Sequence, residues 1–302
     1  MERLLLITNA DAGTNDEQAV DAALEVLRRA ADVEVAATSS PDELEEVLAK
    51  RDGRDLVIAG GDGSLHAVVA ALHASDDLAG PTVGLIPLGT GNDFARGVRI
   101  SLDPARAAEV ATGGQETQVD VLVDDEDGIV VNAVHAGIGA EAGERAKPWK
   151  ERLGKLGYVV GAVIAGFRSQ GTRLRVTADG TVLASGHRRV LQVGVGNGPF
   201  VGGGTPLTPD ADPTDSKVDV MVSFAVRRRE RLLYAIHLKR GTHDERHDVQ
   251  TMRATRVEIT GASFTCNADG ELAGPMTRRR WELKAGAFTM MLPTSEQAEI
   301  AD

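Results

Sequence analysis

Two short segments bring glycine together with small polar and acidic side chains directly behind an apolar run. In the first, Asp55-Leu56-Val57-Ile58-Ala59 leads into Gly60-Gly61-Asp62-Gly63-Ser64, and a helical segment follows from Ser64 to His73. Glycine lets the backbone approach a phosphate closely, and a helix that begins there offers unpaired N–H groups and a partial positive charge. Asp62 would repel a phosphate directly, so it is expected to act through Mg²⁺ or to hydrogen-bond a ribose or a backbone group. In the second, the apolar run 82–88 leads into Gly89-Thr90-Gly91-Asn92-Asp93. A third candidate is Asn9-Ala10-Asp11-Ala12-Gly13-Thr14, after the run 3–8. A single loop of this kind is as readily a plain strand-to-helix turn, but three on one sheet favour a phosphate cradle.

Two acidic segments complete the inventory. Asp212, Asp215 and Asp219 lie in a loop of hard oxygen donors at 209–219, of the type that binds a divalent cation. Asp269-Gly270-Glu271, taken by residue type alone, is a turn between strands. Other chemistries fall away. No G-x-x-x-x-G-K-[ST] segment exists, which excludes a P-loop. Gly137-Ile138-Gly139-Ala140-Glu141-Ala142 fits a dinucleotide pattern, but it lies among antiparallel strands and would set Glu141 and Glu144 against a pyrophosphate. His243 and His247 flank acidic and basic residues and read as solvated surface rather than a zinc site. The single cysteine, Cys266, excludes an intramolecular disulfide framework.

The loops need elements to hold them. Strand-like runs at 3–10, 33–38, 55–60 and 82–88 alternate with helical segments at 16–31, 40–50 and 64–73, an order that predicts a parallel sheet covered by helices, with ligands at the carboxyl ends of its strands. From about residue 118 the pattern changes. Short alternating runs at 117–125, 128–137, 172–179, 187–197, 217–226, 256–261 and 287–293 predict an antiparallel sandwich or barrel, interrupted by helices at 150–168 and 229–240.

The chain has 302 residues and a net charge of −12, enough for two domains, and its acidity rules out nucleic-acid binding through an overall basic field. Leu4–Ile7 is too short for a signal-peptide core and Leu156–Phe167 too short for a bilayer span, so an intracellular, cytoplasmic location is expected. The Gly157-xxx-Gly161 spacing fits close helix packing. Arg227, Arg228, Arg229, Arg231, Lys239 and Arg240 surround the apolar segment 232–238, which reads either as an ordinary solvated helix face or as a helix docking on anionic headgroups, and Arg278–Arg280 either extend this patch or lie elsewhere. The number of subunits is not fixed by the sequence, a homodimer being one option.

GGDGS at 60–64 and PLGTGNDFAR at 87–96 resemble the signature of the diacylglycerol kinase catalytic-domain family, the lipid kinases that include bacterial diacylglycerol kinases and sphingosine kinases. The similarity continues in order through 131–142, 196–220, 241–249 and 266–274, nearly the whole chain. The resemblance implies an α/β nucleotide-binding domain related to the phosphofructokinase and NAD kinase folds over 1–118, a β-sandwich domain over 119–286, and a final strand at about 287–302 that returns to the first domain. It implies ATP in the cleft between the domains and transfer of phosphate, with Mg²⁺, to a hydroxyl of diacylglycerol or a related lipid at a membrane surface, the protein being peripheral to that membrane. Carried over by position, Asn9, Gly13 and Thr38 contact nucleotide, Gly60, Gly61, Asp62, Gly63 and Ser64 form the main phosphate loop, and Thr90, Asn92 and Asp93 form the second. Asp269 and Glu271 share the roles of base and Mg²⁺ organiser, in either order. Asp215, with groups at 212 and 217, the last through the Lys217 carbonyl, holds a structural Mg²⁺.

Three positions depart from the family pattern: Leu65-His66-Ala67 replaces a segment where many relatives carry Asn and Glu, Ala10 replaces a proline, and Ser216 replaces a glycine. The weighed alternatives are an NAD kinase-like enzyme and a non-catalytic regulator that binds nucleotide or lipid.

Overall fold

The computed structural model describes residues 2–10, 14–137 and 171–299. Gly13, the helix expected at 150–168, the Gly157-xxx-Gly161 spacing and the dinucleotide-like run beyond Gly137 lie outside the described residues. The chain divides into two compact units, the first comprising Met1–Val121, Pro213–Ser216 and Lys284–Asp302, the second Leu122–Asp212 and Lys217–Leu283.

The first unit is built on parallel strands β1 (Arg3–Asn9), β2 (Asp32–Thr38), β3 (Asp55–Gly60) and β4 (Thr82–Pro87). A fifth place is filled by the end of the long β16 (Glu271–Leu292), where Thr289 and Met290 pair in parallel with Thr82 and Val83. The spatial order is β2-β1-β3-β4-β16. β3 and β4 are continuous apolar runs because both faces of this sheet are covered. Helix α1 (Thr14–Ala30) packs with α5 (Pro104–Gly113), while α2 (Pro41–Ala49) packs with α3 (Asp62–Ala74). Ser40 caps α2 and Asp103 caps α5, each side chain accepting a first-turn N–H, with proline following at the first helical position. The short α4 (Asp93–Gly97) follows the second glycine loop.

Among the described residues, the strand pairs of the second unit are antiparallel. It contains the end of β5 (Gln115–Asp124), then β6 (Ile129–Val130), β7 (Ala133–Gly137), β8 (Leu174–Ala178), β9 (Thr181–Ser185), β10 (Gln192–Gly196), β13 (Val218–Ser223), β14 (Val249–Ala254), β15 (Arg256–Ala268) and the start of β16, with a small hairpin of β11 (Phe200–Val201) and β12 (Thr205–Pro206). β15 changes partner midway. Val257–Gly261 pair with β8, whereas Cys266–Ala268 pair with β7, and bulges between Thr260 and Cys266 turn the strand from one leaflet to the other. Val134, Val193, Val195 and Val220 from one leaflet meet Val176, Val257, Ile259 and Trp281 from the other in the central core. The outer face of β10 and β13 is covered by Leu207 and by Tyr234 of α6 (Arg228–Arg240). Helix α7 (Ser295–Glu299) ends the described chain.

Candidate active site

In the first unit, the parallel register brings the sequence candidates to one edge. Asn9 is the register partner of Thr38, Thr8 of Ala59, and Gly60 of Pro87, so Asn9, Thr38, Gly60 and the loop that starts at Leu88 all stand at the carboxyl ends of adjacent strands. β1 lies between β2 and β3, so the strand order reverses there. Open α/β sheets bind ligands outside the carboxyl ends of their strands at such a point.

The two glycine loops touch each other through their backbones. A Cβ on Gly61 would stand 2.8 Å from Gly89 Cα, and a Cβ on Gly89 would stand 2.5 Å from Gly61 Cα. Only glycine fits this approach. Asp62 fastens the same pair of loops, its Oδ2 accepting the N–H of Asp93 and its Oδ1 that of Phe94, both at 3.0 Å. Of the roles expected for Asp62, a hydrogen bond to backbone groups is thus present, and it also supplies the negative charge that the N-terminus of α4 favours. Asn92 turns the chain in the left-handed conformation, with φ 52° and ψ 42°, and donates from Nδ2 to the Gly89 carbonyl at 2.8 Å. Its Oδ1 is buried and has no hydrogen-bond partner among the described residues. Thr90 is exposed at the loop tip, and Asp93 is buried.

Gly63 differs from its neighbours. A Cβ there would meet no atom within 4 Å, and its backbone does not need glycine's positive φ. Neither packing nor conformation within the unit demands a glycine at that place. It sits in the first turn of α3, which Gly61 caps without a side-chain hydrogen bond, leaving an anion-attracting helix end with no side-chain acceptor of its own.

In the second unit, Asp269 and Gly270 form the tight turn between β15 and β16, with φ of 47° and 97°, as a two-residue hairpin of primed type requires. The turn read from residue types is therefore present, and Asp269 does more than turn the chain. Its Oδ2 accepts the N–H of Val131 at 2.6 Å and its Oδ1 those of Asn132 and Ala133 at 3.0 and 2.9 Å, while its own N–H donates to the Ala133 carbonyl. Asn267 braces the turn from inside, its Oδ1 accepting the Gly270 N–H at 2.9 Å. Glu271, two residues on, pairs through its backbone with Ala268, while its exposed carboxylate is engaged by none of the described residues.

The same construction occurs a second time. Ala178-Asp179-Gly180 is another Ala-Asp-Gly hairpin, and Asp179 accepts the N–H groups of Thr255 and Arg256. Burial alone would raise the Asp179 pKa, but these donors outweigh it and hold the carboxyl below its ordinary value.

The acidic loop is divided between the units, Asp215 belonging to the first, Asp212 and Lys217 to the second. Within the first unit its anchor is Asp120, a residue the sequence reading passed over. Asp120 is buried, accepts the N–H of Ser216 and of Gly286 at 2.7 Å each, and donates its own N–H to the Pro213 carbonyl. The signal was an aspartate inside the apolar run Val119–Leu122. Ser216 takes a φ of 61°, a left-handed backbone that a glycine would adopt without strain. Among the described residues, no three His, Cys, Asp or Glu side chains stand together as a metal group.

One expectation is corrected. His243 is not solvated surface: it is fully buried, its Nε2 donates to the Leu207 carbonyl at 2.8 Å, and its ring meets Tyr234 edge-on at 5.8 Å. The stretch beyond it is divided: Arg246 neutralises buried Asp248 through two bonds of 2.8 and 2.7 Å, while Glu245 and His247 are exposed, as expected of solvated surface. Arg279 is likewise buried, against Asp124 and Glu126, and Arg278 pairs with Glu258, so two of the three arginines at 278–280 are held in ion pairs.

Comparison with known proteins agrees with this architecture. Residues 3–123 match the family model described as the diacylglycerol kinase catalytic domain, and residues 132–292 match the YegS C-terminal NAD kinase beta sandwich-like domain. The chain is 33% identical over 304 residues to a protein named "Probable lipid kinase YegS-like" from Xanthomonas campestris pv. campestris (strain 8004), covering 95% of each. It is 27% identical over 232 residues to a diacylglycerol kinase of Mycobacterium tuberculosis (strain ATCC 25618 / H37Rv), covering 74% of this chain and 72% of that one. The crystal structure of a diacylglycerol kinase from Bacillus anthracis str. Sterne shares the fold, with a TM-score of 0.77 at 24% identity over 98% of both chains. With matched models running from residue 3 to residue 292, this chain belongs to the diacylglycerol kinase catalytic-domain family of YegS-like lipid kinases, and is a phosphotransferase of that family.

Proposed function

We propose that this lipid kinase transfers the γ-phosphoryl group of ATP, taken up with Mg²⁺, to a hydroxyl of diacylglycerol or a closely related lipid. The observation that carries the reading is the pair of glycine loops clasped by Asp62 at the carboxyl edge of the parallel sheet, with Gly63 opening the first turn of α3 where neither packing nor φ calls for glycine. Phosphoryl transfer is catalysed mainly by positioning and by offsetting charge, and backbone N–H groups at a helix end supply both. The buried, unpartnered Oδ1 of Asn92 is a further polar group beside the same loops. Mg²⁺ commonly takes one or two carboxylates together with the phosphates of its nucleotide, so a three-carboxylate cluster is not required.

In the transfer step the lipid hydroxyl oxygen forms a bond to the γ-phosphorus, the bond from that phosphorus to the ADP oxygen breaks, and the hydroxyl proton passes to a carboxylate. Glu271 suits this role better than Asp269. The Asp269 oxygens already receive three backbone N–H groups, whereas Glu271 is exposed and unengaged. Asp269 acts by holding the turn from which Glu271 projects, and Asp62 by holding the two phosphate loops together.

The test supplies the purified protein with labelled ATP, Mg²⁺ and a panel of lipid micelles, with NAD as an additional acceptor. Labelled phosphatidate, abolished by EDTA, is the expected result. Label on NAD and on no lipid would move the assignment to an NAD kinase-like activity, and nucleotide binding without any labelled acceptor would make the protein a regulator.

A further inference from the structure

Helix α6 is amphipathic in an unusual sense. Its inward face, Glu230, Arg231, Tyr234, His237 and Leu238, repeats at three- and four-residue intervals and carries one fully buried side chain, Tyr234, whose hydroxyl donates to Gln192 Oε1 at 3.0 Å. The side opposite Tyr234 faces solvent, yet it is not polar in the ordinary way. Leu232, Leu233 and Ile236 are 50%, 49% and 41% exposed, half of the large apolar side chains so exposed among the described residues. At 100° per residue, Arg229, Lys239 and Arg240 share that outward ridge with them, and Arg228 borders it. Arg228, Arg229, Lys239 and Arg240 form no ion pair among the described residues. Residues 227–240 hold six Lys and Arg against Glu230 alone, a local charge of +5 in a chain of −12.

We infer that this ridge is a membrane-docking surface, which seats Leu232, Leu233 and Ile236 at the headgroup boundary of a bilayer containing anionic lipid, with Arg228, Arg229, Lys239 and Arg240 against its phosphates. Three features select this occupant. A narrow apolar strip flanked by cations is the form of an interfacial helix, in which long basic side chains extend toward headgroups while short aliphatic ones dip below them. The charge is complementary to an anionic surface and concentrated at the one helix that, among the described residues, also exposes large aliphatic side chains. A second copy fits poorly, because two such ridges laid together, parallel or antiparallel, oppose cation to cation at both ends.

The inference deepens the lipid kinase reading, and rests on it for the reason the protein visits a membrane, while docking itself can be measured without turnover. The experiment sediments the full-length protein with vesicles of phosphatidylcholine alone and of phosphatidylcholine with 30% phosphatidylglycerol, at about 0.1 M and 1 M salt, where the screening length falls from ~10 to ~3 Å. Binding to the anionic vesicles that collapses at 1 M salt is expected. Arg228→Gln with Arg229→Gln should lower the partition coefficient about 30-fold, and Leu232→Ser with Ile236→Ser at least ~10-fold, each with an unchanged melting temperature. Equal binding to both vesicle types, or either double variant partitioning like the wild type, overturns the proposal. So does a wild-type dimer that Leu232→Ser with Ile236→Ser converts to a monomer, since a second copy then covers the ridge. Phosphorylation of a short-chain, water-soluble diacylglycerol is followed in parallel. Activity on that acceptor without vesicle binding defeats docking alone, whereas vesicle binding without activity on any acceptor supports docking and defeats the kinase reading.

Discussion

Asp269 and Glu271 stand two residues apart, yet their surroundings give them different work. Removing the Asp269 carboxylate leaves the N–H groups of Val131, Asn132 and Ala133 without their acceptor, in a segment whose side chains are all buried. Asp269→Ala is therefore expected to lose activity and also roughly 3 kcal/mol of stability, read as a lower urea midpoint. Glu271→Gln is expected to reduce turnover at least ~100-fold, as loss of a general base does, with its unfolding midpoint and nucleotide affinity unchanged. An Asp269→Ala protein as stable as the wild type would remove the clamp. The glycine loop offers a second contrast. Gly63→Ala adds a methyl group in open space and restricts the unfolded chain, so it should leave the stability read from thermal unfolding equal or raised by up to ~1 kcal/mol, while weakening ATP binding at least ~10-fold in calorimetry. Gly61→Ala drives a methyl group into the Gly89 backbone and should lower both stability and binding.

At the level of elements, β7 carries a titratable group into an enclosed place. His135 is only partly buried as a residue, but its Nδ1 is shut from solvent and has no hydrogen-bond partner among the described residues, and burial pushes its pKa down to about 4. A histidine depressed in the folded state contributes stability that is complete above the unfolded value near 6.5 and is lost as pH falls toward about 4. Urea midpoints taken from pH 7 to pH 4.5 should thus fall less steeply in His135→Leu, which removes the proton-binding site without breaking a bond. The elements were unevenly legible in the sequence. The strands and helices of the first ninety residues could be read almost to their ends because buried parallel strands are continuous apolar runs and each helix is introduced by serine, proline or glycine. The run 128–137 reads as one strand but is two, β6 and β7, because the N–H groups between them are given to Asp269 instead of a ladder. β16 begins sixteen residues before the apolar run at 287, since Pro275 and Arg278–Arg280 interrupt any apolar alternation there, and Glu258 and Asp124, which pair with Arg278 and Arg279, are distant in sequence. Of the candidate site, the glycine loops and the 269–271 turn were visible as residue types. Their fastening, by Asp62 and Asp269 onto backbone N–H groups distant in sequence, needed the fold.

Across the whole molecule, the chain crosses between its two units at 121, 212, 216 and 283. The first unit consequently depends on residues that follow it by far in sequence: buried Phe288 and Met290, the pairing of Thr289 with Thr82, and the Gly286 and Ser216 N–H groups that satisfy Asp120. A chain ended at Leu283 should lose that packing, leave β4 as an open apolar edge and collect in the aggregated fraction on expression, whereas one lacking only Ala301 and Asp302 should stay soluble. Fractionation of the two truncated chains decides this. The same dependence has a temporal side. During synthesis the opening β-α-β segments leave the ribosome early, but their sheet keeps a bare edge while some two hundred further residues are added, and it closes only when the last strand arrives. The unit that is encoded first is completed last, so the newborn chain passes through a long interval in which β4 is open to mispairing and in need of a chaperone.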